Sequence, residues 1–187
     1  MEKIARLSDQ NIAFIFIDLQ ERLLKAIPDS EKIIRRNRFL LESAKVFEIP
    51  FLASTQYKKG LGEIVRGFAE GLNSPALDKT SFSCGMDESI AKVIKTFQRD
   101  WIVVSGVETH ICVMQTVLDL NQTGYQVAVV ADAVGARGGV DHQLGLERMK
   151  QAGTLMLTSE MLVYELLQSS DAENFKKLLP LIKGLEG

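Results

Sequence analysis

Cysteine and histidine are scarce in this chain of 187 residues, which contains two of each. The cysteines, Cys84 and Cys112, are too few for a disulfide scaffold, so free thiols in a reducing compartment are the simpler interpretation. The histidines, His110 and His142, lack the spacing of metal ligands. The glycines around residue 138 do not form a dinucleotide-binding fingerprint. We therefore expect a protein without a metal site and without another cofactor.

Charge of one sign and long apolar runs are lacking as well. With 22 basic and 24 acidic residues the formal net charge is −2, so nothing indicates a nucleic acid or an anionic membrane surface as a partner. The apolar runs are strand-sized, far below the roughly 20 residues that a membrane-spanning helix needs. Residues 1–10 lack the apolar core of a signal peptide, and we expect a cytoplasmic protein.

What the chain does contain is a regular alternation of strand-like and helix-like segments. Residues 11–17 are nearly all apolar, which is typical of a parallel strand covered on both faces. Further strands are predicted over 51–54, 76–81, 101–104, 125–130 and 154–157. Helices are predicted over 29–47, 88–97, 109–122, 142–151, 159–168 and 171–182. Between them, residues 56–73 are predicted to form a loop with a short helix from Glu63.

This alternation predicts an α/β fold in three layers. Strands that alternate with helices imply right-handed βαβ crossovers, and hence an open, mostly parallel sheet of about six strands between two helical layers. The architecture is Rossmann-like. We see no repeat or linker, so one domain is expected over residues 1–187.

Three residues with reactive or charged side chains lie in or after predicted strands. In an open parallel sheet, ligands bind at the carboxyl ends of the strands where the strand order reverses. Asp18, Lys79 and Cys112 would meet there if the first and fourth strands are neighbours. Cys112 also lies in the first turn of a predicted helix, where the helix dipole favours a thiolate. Taken singly, each has a structural alternative: a helix cap, a solvated charge and a buried thiol.

Three segments resemble the signature segments of the isochorismatase-like cysteine hydrolases. They are Phe-Ile-Asp-Leu-Gln (16–20), Asp-Lys-Thr-Ser-Phe-Ser (78–83) and Ser-Gly-Val-Glu-Thr-His-Ile-Cys-Val (105–113). The similarity extends through residues 124–137 and follows the order of the family. It implies the isochorismatase-like hydrolase fold for most of the chain.

The resemblance also implies the roles of individual residues. Asp18, Lys79 and Cys112 would form a catalytic triad, beside a cis peptide bond between Val107 and Glu108. The backbone N–H groups of Glu108 and Cys112 would form an oxyanion hole, in which each donor is typically worth about 3–4 kcal/mol. In such a site the aspartate accepts the cysteine proton, the thiolate attacks a carbonyl carbon, and water hydrolyses the resulting thioester.

The segment after the second strand departs from one branch of this family. Nicotinamidases carry an Asp-x-His motif there, together with a further histidine, to bind a metal. Residues 54–62 contain no histidine, and they resemble the isochorismatase-domain-containing subgroup instead. Isochorismate-cleaving enzymes proper need no cysteine nucleophile, so Cys112 disfavours isochorismate as the substrate. We therefore expect a metal-independent cysteine hydrolase that cleaves a small amide-type carbon–nitrogen bond.

Five residues in or beside the signature segments are candidate contacts to a small-molecule substrate, with loop structure as the alternative for each. They are Gln20, Gln56, Tyr57, Phe82 and Thr109.

Four other residues have less direct interpretations. Cys84 lacks the helix-start context and is interpreted as a non-catalytic thiol that lines the pocket. His110 is predicted to cap a helix or lie on the surface, and His142 to be solvated. Arg137 is open to two interpretations, an anion-binding group or a surface ion pair.

Two further functions remain open from the sequence. One is a ligand-binding or redox-responsive protein with a reactive thiol, and the other is an isochorismatase in the strict sense. The apolar segment 175–185 suits either an oligomer interface or packing on the chain's own sheet. The resemblance implies a homo-oligomer, either a dimer or a tetramer.

Overall fold

Six parallel strands form one sheet in the computed structural model, which describes residues 6–186. The strands are β1 (Ile12–Ile17), β2 (Phe51–Gln56), β3 (Leu77–Lys79), β4 (Trp101–Val107), β5 (Gln126–Gly135) and β6 (Leu155–Leu157). Their spatial order is β3-β2-β1-β4-β5-β6, and each neighbouring pair is parallel. The predicted α/β fold with an open six-stranded sheet is confirmed. Residues 1–5 and 187, the ends of the predicted domain, lie outside the described residues.

Helices connect the strands and cover both faces of the sheet. They are α1 (Glu21–Leu24), α2 (Ser30–Val46), α3 (Lys58–Leu61), α4 (Arg66–Ala69), α5 (Glu88–Thr96), α6 (Met114–Gln122), α7 (Gly139–Gln151), α8 (Ser159–Leu167) and α9 (Glu173–Lys183). One π-helical turn (Thr109–Val113) precedes α6, and a 3₁₀ turn (Gly184–Glu186) follows α9. Among residues 6–186, no helix combines the length and the apolar character needed to cross a membrane.

Strand β1 illustrates why the sheet must be covered on both sides. All six of its residues are buried, and successive side chains of a strand point to opposite faces. Phe14 and Phe16 pack in the core on the side of α2 and α8. Ile15 and Ile17 pack in the core on the side of α5, α6 and α7. A continuous apolar strand is therefore buried only between two helical layers, as its composition predicts.

The C-terminal segment packs against helices of its own chain. Leu178 and Ile182 of α9 are buried in a separate cluster with Phe39 of α2 and with Val163 and Leu167 of α8. The C-terminal segment therefore packs within its own chain, but on helices α2 and α8 and not directly on the sheet.

The strand order reverses between β1 and β4, which are neighbours as the site prediction requires. The two strands pair from Ile12 with Trp101 to Ile17 with Gly106. At the last pair they approach so closely that a Cβ on Gly106 would lie 2.0 Å from the carbonyl oxygen of Ile17. Gly106 also has a φ of +114°, a conformation that glycine adopts without steric cost. Glycine is thus required where the two strand ends meet.

Several boundaries differ from the sequence-based predictions. Strands β4 and β5 continue to Val107 and Gly135, because Val107 pairs with Gly135 beyond a bulge after Val104. Strand β3 is shorter than predicted. The loop over 56–73 contains two short helices, α3 and α4, neither of which begins at Glu63. The four-residue helix α1 is absent from the predictions.

Candidate active site

Asp18 and Lys79 form a buried ion pair at the carboxyl edge of the sheet. Asp18 directly follows β1, and Lys79 is the last residue of β3. Because β2 lies between these strands, the lysine side chain extends past the end of β2. Its Nζ lies 2.8 Å from Oδ2 of Asp18, and both side chains have 0% exposure. The predicted base and cation are therefore in direct contact.

Strand β2 supplies the other partners of this pair. Ser54 Oγ donates to Oδ1 of Asp18 at 2.7 Å, and Lys79 Nζ donates to Oε1 of Gln56 at 2.8 Å. Asp18 itself has a φ of +51°, and its N–H donates to the carbonyl oxygen of Ser54. Buried charges are tolerated only where such hydrogen bonds compensate for lost hydration.

Lys79 keeps its positive charge in spite of its burial. Burial is the largest single influence and lowers the pKa of this ammonium group, but the charge and hydrogen bond of Asp18 and the charges of Cys84 and Cys112 together raise it more, so the net direction is upward from 10.5. Lys79 is therefore a cation throughout the neutral range.

Cys112 lies beside this pair. The residue is 5% exposed, and its Sγ lies 4.0 Å from Oε1 of Gln56, the oxygen that also accepts from Lys79. The thiol follows β4 within the π-helical turn rather than in an α-helix. Thr116 fixes this turn, since its Oγ1 donates to the Cys112 carbonyl oxygen and accepts from the N–H of Cys84.

The protonation state of Cys112 corrects one expectation. Burial raises the pKa of its thiol, the negative charge of Asp18 raises it further, and the cation of Lys79 opposes them only in part. The expectation that the helix start favours a resting thiolate is therefore wrong. In the free site, Cys112 is a thiol next to a carboxylate that can accept its proton.

The segment that joins β4 to the π-helical turn contains a cis peptide bond between Val107 and Glu108. The Glu108 carbonyl oxygen accepts from the N–H groups of Ile111 and Val113. The Glu108 carboxylate pairs with Nε of Arg137 at 2.9 Å and also accepts from the Arg137 N–H. The ion-pair interpretation of Arg137 thus fits, although its partner is a buried carboxylate. Of the two predicted oxyanion donors, the N–H of Glu108 belongs to this segment and the N–H of Cys112 to the π-helical turn that follows it.

The side chains of two candidate substrate contacts form hydrogen bonds within the protein itself. Gln20 is buried, and its amide accepts from the Gln56 N–H and donates to the carbonyl oxygens of Gln56 and Gly62. Thr109 is also buried, with its Oγ1 2.9 Å from Nδ1 of His142. The structure does not present either side chain to a substrate.

Two other candidates remain accessible. Tyr57 is 51% exposed and Phe82 is 53% exposed. Tyr57 follows β2 and Phe82 follows β3, so both come after strands that end at the carboxyl edge of the sheet. The ring of Tyr57 lies over Gly60, where a Cβ would be 2.2 Å from its Cε1. These aromatic groups are thus available for contacts near the strand ends.

The remaining thiol and the imidazoles are placed as follows. Cys84 is fully buried, its Sγ donates to Ser54 Oγ at 3.5 Å, and burial, followed by the charge of Asp18, raises its pKa to about 11. It does not line an open pocket. His142 is half-buried against Thr109 rather than solvated, and burial lowers its pKa. His110 is half-buried, and its Nδ1 is buried without a hydrogen-bond partner in the described residues.

Ser54 is the site residue that the sequence-based predictions miss. The available signal is that β2 begins with apolar residues and ends with three polar ones, of which Ser54 and Gln56 lie on the same face. Within residues 6–186, no three His, Cys, Asp or Glu side chains are grouped so that they could hold a metal ion.

Comparison with known proteins assigns the family. The sequence profile described as the isochorismatase domain matches residues 12–161. The chain belongs to the isochorismatase family. The resemblance derived from the three signature segments is thereby confirmed, and the family places the protein among isochorismatase-like hydrolases.

Members of the isochorismatase family from several organisms are similar to this chain. Isochorismatase domain-containing protein 1 of Danio rerio is 34% identical over 96% of this chain, which spans 64% of that protein's length. Isochorismatase family protein 2A of Dictyostelium discoideum is 32% identical over 96% of this chain and 94% of its own length.

Solved structures of the same fold are known. One, described as MAR1 ribonuclease from Caenorhabditis elegans, is 36% identical with a TM-score of 0.90, over 96% of this chain and 93% of its own. The ycaC gene product of Escherichia coli, described as an octameric hydrolase of unknown specificity, has a TM-score of 0.92 over 100% of this chain and 95% of its own. At 24% identity, the second similarity shows the fold alone.

Proposed function

We propose that this protein is a metal-independent cysteine hydrolase that cleaves a small amide-type carbon–nitrogen bond through a thioester on Cys112. The observation that carries the proposal is the buried Asp18–Lys79 pair beside the Cys112 thiol. A nucleophile, a base and a group that fixes the base are the parts that acyl transfer needs.

The first half-reaction forms the thioester. Asp18 takes the thiol proton as Cys112 Sγ attacks the carbonyl carbon, and because the thiol pKa is raised, proton transfer accompanies the attack. The N–H groups of Glu108 and Cys112 stabilise the oxyanion that develops. The carbon–nitrogen bond then breaks, and Asp18 returns the proton to the departing amine.

The second half-reaction releases the acid. Asp18 takes a proton from a water molecule, the resulting hydroxide attacks the thioester carbonyl, and the carbon–sulfur bond breaks. The proton returns to the sulfur and restores the thiol. Lys79 keeps Asp18 in place and balances its charge in both steps. One amide and one water thus give one carboxylic acid and one amine.

The charges around the site favour a neutral substrate. Lys79 is balanced by Asp18 and Arg137 by Glu108, so no unbalanced cation among these residues would attract an anion. Exposed Tyr57 offers an aromatic surface beside the polar groups, as small-molecule sites commonly do. A small uncharged amide or carbamoyl compound fits this combination.

The proposal includes the setting of the enzyme. We extend it to a single domain over residues 1–187 that works in the cytoplasm as a homo-oligomer without a cofactor. The E. coli structure of the same fold is described as octameric, which is compatible with an oligomer. Light scattering of the purified protein measures the number of subunits, and a monomer at micromolar concentration would contradict this part.

A screen of small amides for ammonia release tests the reaction itself. The wild type, Cys112→Ala and Cys84→Ala are compared, each with and without a chelator. We expect Cys84→Ala to retain activity, Cys112→Ala to lose it, and the chelator to have no effect. Ammonia release that survives in Cys112→Ala would reject the thioester mechanism, and loss of activity with the chelator would reject metal independence.

RNA hydrolysis is a second candidate because the 36%-identical C. elegans structure is described as a ribonuclease. The net charge of −2 and the 5% exposure of Cys112 favour a small neutral substrate over a polyanion. Incubation with a labelled RNA oligomer separates the two functions. Cleavage that is lost in Cys112→Ala would replace amide hydrolysis as the assigned reaction.

A further inference from the structure

Ser54 and Gln56 occupy the same face of β2 and contact the two charges of the site separately. Ser54 donates to Oδ1 of Asp18, while Gln56 accepts from Nζ of Lys79. Both residues are buried. Because strand side chains alternate, the residue between them, Thr55, points to the other face. There its hydroxyl donates to Asp78 and not to the site.

The orientation of the Gln56 amide follows from its partners. An ammonium group only donates hydrogen bonds and a carbonyl oxygen only accepts them. The amide atom 2.8 Å from Lys79 Nζ is therefore the oxygen, and the atom 2.9 Å from the Thr80 carbonyl oxygen is the nitrogen. The opposite orientation would oppose donor to donor and acceptor to acceptor.

Gln56 is also fixed through its main chain. Gln20 accepts a hydrogen bond from the Gln56 N–H and donates one to the Gln56 carbonyl oxygen. The side chain and the backbone of Gln56 are thus held independently, the first by Lys79 and Thr80 and the second by Gln20. Both main-chain groups of Gln56, its amide oxygen and one of its amide N–H groups are thus engaged within the protein.

We infer that Ser54 and Gln56 are positioning residues that hold the Asp18–Lys79 pair in place next to Cys112. This inference rests on the proposed function. Ser54 fixes one carboxylate oxygen of Asp18, and the other oxygen receives Lys79. Gln56 gives the lysine a second acceptor, which fixes the flexible ammonium group beside Asp18. Gln56 is therefore a positioning residue rather than the substrate contact that the sequence predicts.

The test reads the thiol directly and needs no substrate. Iodoacetamide labelling of Cys112 at pH 8 is followed by mass spectrometry, in variants whose folding is checked by circular dichroism. At residue 54 we compare Ser54→Thr with Ser54→Val, which have the same shape and differ only in the hydroxyl. We expect the threonine variant to react within about twofold of the wild type and the valine variant roughly tenfold more slowly. Equal rates in the two variants would overturn the role of Ser54.

A double-mutant cycle tests Gln56. Gln56→Met keeps the length of the side chain but removes the acceptor, and we expect roughly tenfold slower labelling. In a Lys79→Met background the same substitution should have almost no further effect, because the ammonium that it positions is gone. A second tenfold loss there would overturn the inference, since Gln56 would then act without Lys79.

Thr55→Val is the matched control on the same strand. It removes a buried hydroxyl from the face of β2 opposite the site, so labelling should stay within about twofold of the wild type while some stability is lost. If Thr55→Val slows labelling as much as Ser54→Val, general loosening of β2 explains the result and the inference fails. If Lys79→Met does not fold, the Ser54 pair and this control decide.

The inference and the proposed function can fail separately. Coupling in the labelling cycle without any amide hydrolysis would retain the positioning roles and reject the proposed reaction. Hydrolysis that requires Cys112, without coupling to Ser54 or Gln56, would retain the reaction and reject the positioning roles.

Discussion

Nζ of Lys79 lies 2.8 Å from Oδ2 of Asp18, across the end of the strand between them, and neither side chain is exposed to solvent. Salt screens such a buried pair much less than a surface pair. Each charge is tolerated only in the presence of the other, because either one alone would be buried without a counter-charge and without water. The stability of the protein and the chemistry of the site are thus linked through one contact.

Removal of the lysine charge should strongly destabilise the fold. Lys79→Met leaves the Asp18 carboxylate buried and unpaired, which typically costs about 3–5 kcal/mol. Asp18→Asn in the same chain should recover part of this loss by removing the stranded charge. Urea denaturation measures the free energy of unfolding. The control is Lys92→Met, since Lys92 pairs with Glu88 at the surface at 3.9 Å and surface pairs contribute little. Equal losses in Lys79→Met and Lys92→Met would contradict the burial of the pair.

High pH should weaken the contribution of the same pair. The pKa of Lys79 is raised above 10.5 in the folded protein, so its contribution is fully present below 10.5 and is lost as the pH rises through the folded value. The difference in unfolding free energy between wild type and Lys79→Met should therefore be constant from pH 7 to 9 and narrow above pH 10.5. A difference that already narrows between pH 7 and 9 would contradict the raised pKa.

The two thiols should differ in reactivity. In the native protein iodoacetamide should label Cys112, which is 5% exposed, and leave Cys84, which is 0% exposed, until the protein unfolds. Because burial and Asp18 raise the pKa of the Cys112 thiol, its labelling rate should rise with pH from 7 to 10 without a plateau. Peptide mass spectrometry separates the two sites. A plateau below pH 8 would show a preformed thiolate, as the helix-start argument predicts.

The general fold can be predicted from the sequence because its signals are local. The six apolar residues of β1 and the alternation of strands and longer helices indicate a parallel sheet between two helical layers. The four-residue helices α1 and α3 carry no such periodicity. Their surroundings are fixed by Gln20, whose amide links Gln56 to Gly62, contacts 36 and 42 residues away. Tertiary hydrogen bonds of this kind leave no mark on a sequence pattern.

The candidate site, like the fold, can be predicted from the sequence only in part. The resemblance to a family identifies Asp18, Lys79 and Cys112, but not the contact of Ser54 with Asp18, which joins residues 36 apart. Likewise, His142 lies in a polar helix start and is predicted to be solvated, whereas its ring is half-buried against Thr109, 33 residues away. The raised pKa of the Cys112 thiol can be predicted only if its burial is known, and the helix-start argument takes no account of burial.

Gly106 should tolerate no side chain, because it sets the approach of β4 to β1 directly before the cis peptide bond between Val107 and Glu108. In Gly106→Ala the new Cβ would lie 2.0 Å from the Ile17 carbonyl oxygen and 2.6 Å from the Ile17 nitrogen. Backbone atoms in two paired strands cannot yield as a flexible side chain does, and we expect failure to fold or a loss above about 4 kcal/mol.

Gly124→Ala is the matched control for this prediction. Gly124 also has a positive φ, +92°, but a Cβ there would have nothing within 4 Å. The unfolding free energy of Gly124→Ala should therefore fall only by the cost of a side chain at a positive φ, about 1–2 kcal/mol. Urea denaturation of both variants, with the wild type beside them, measures the difference. If the two alanine variants lose equal stability, backbone conformation alone explains both, and the close contact between Gly106 and Ile17 does not constrain the site.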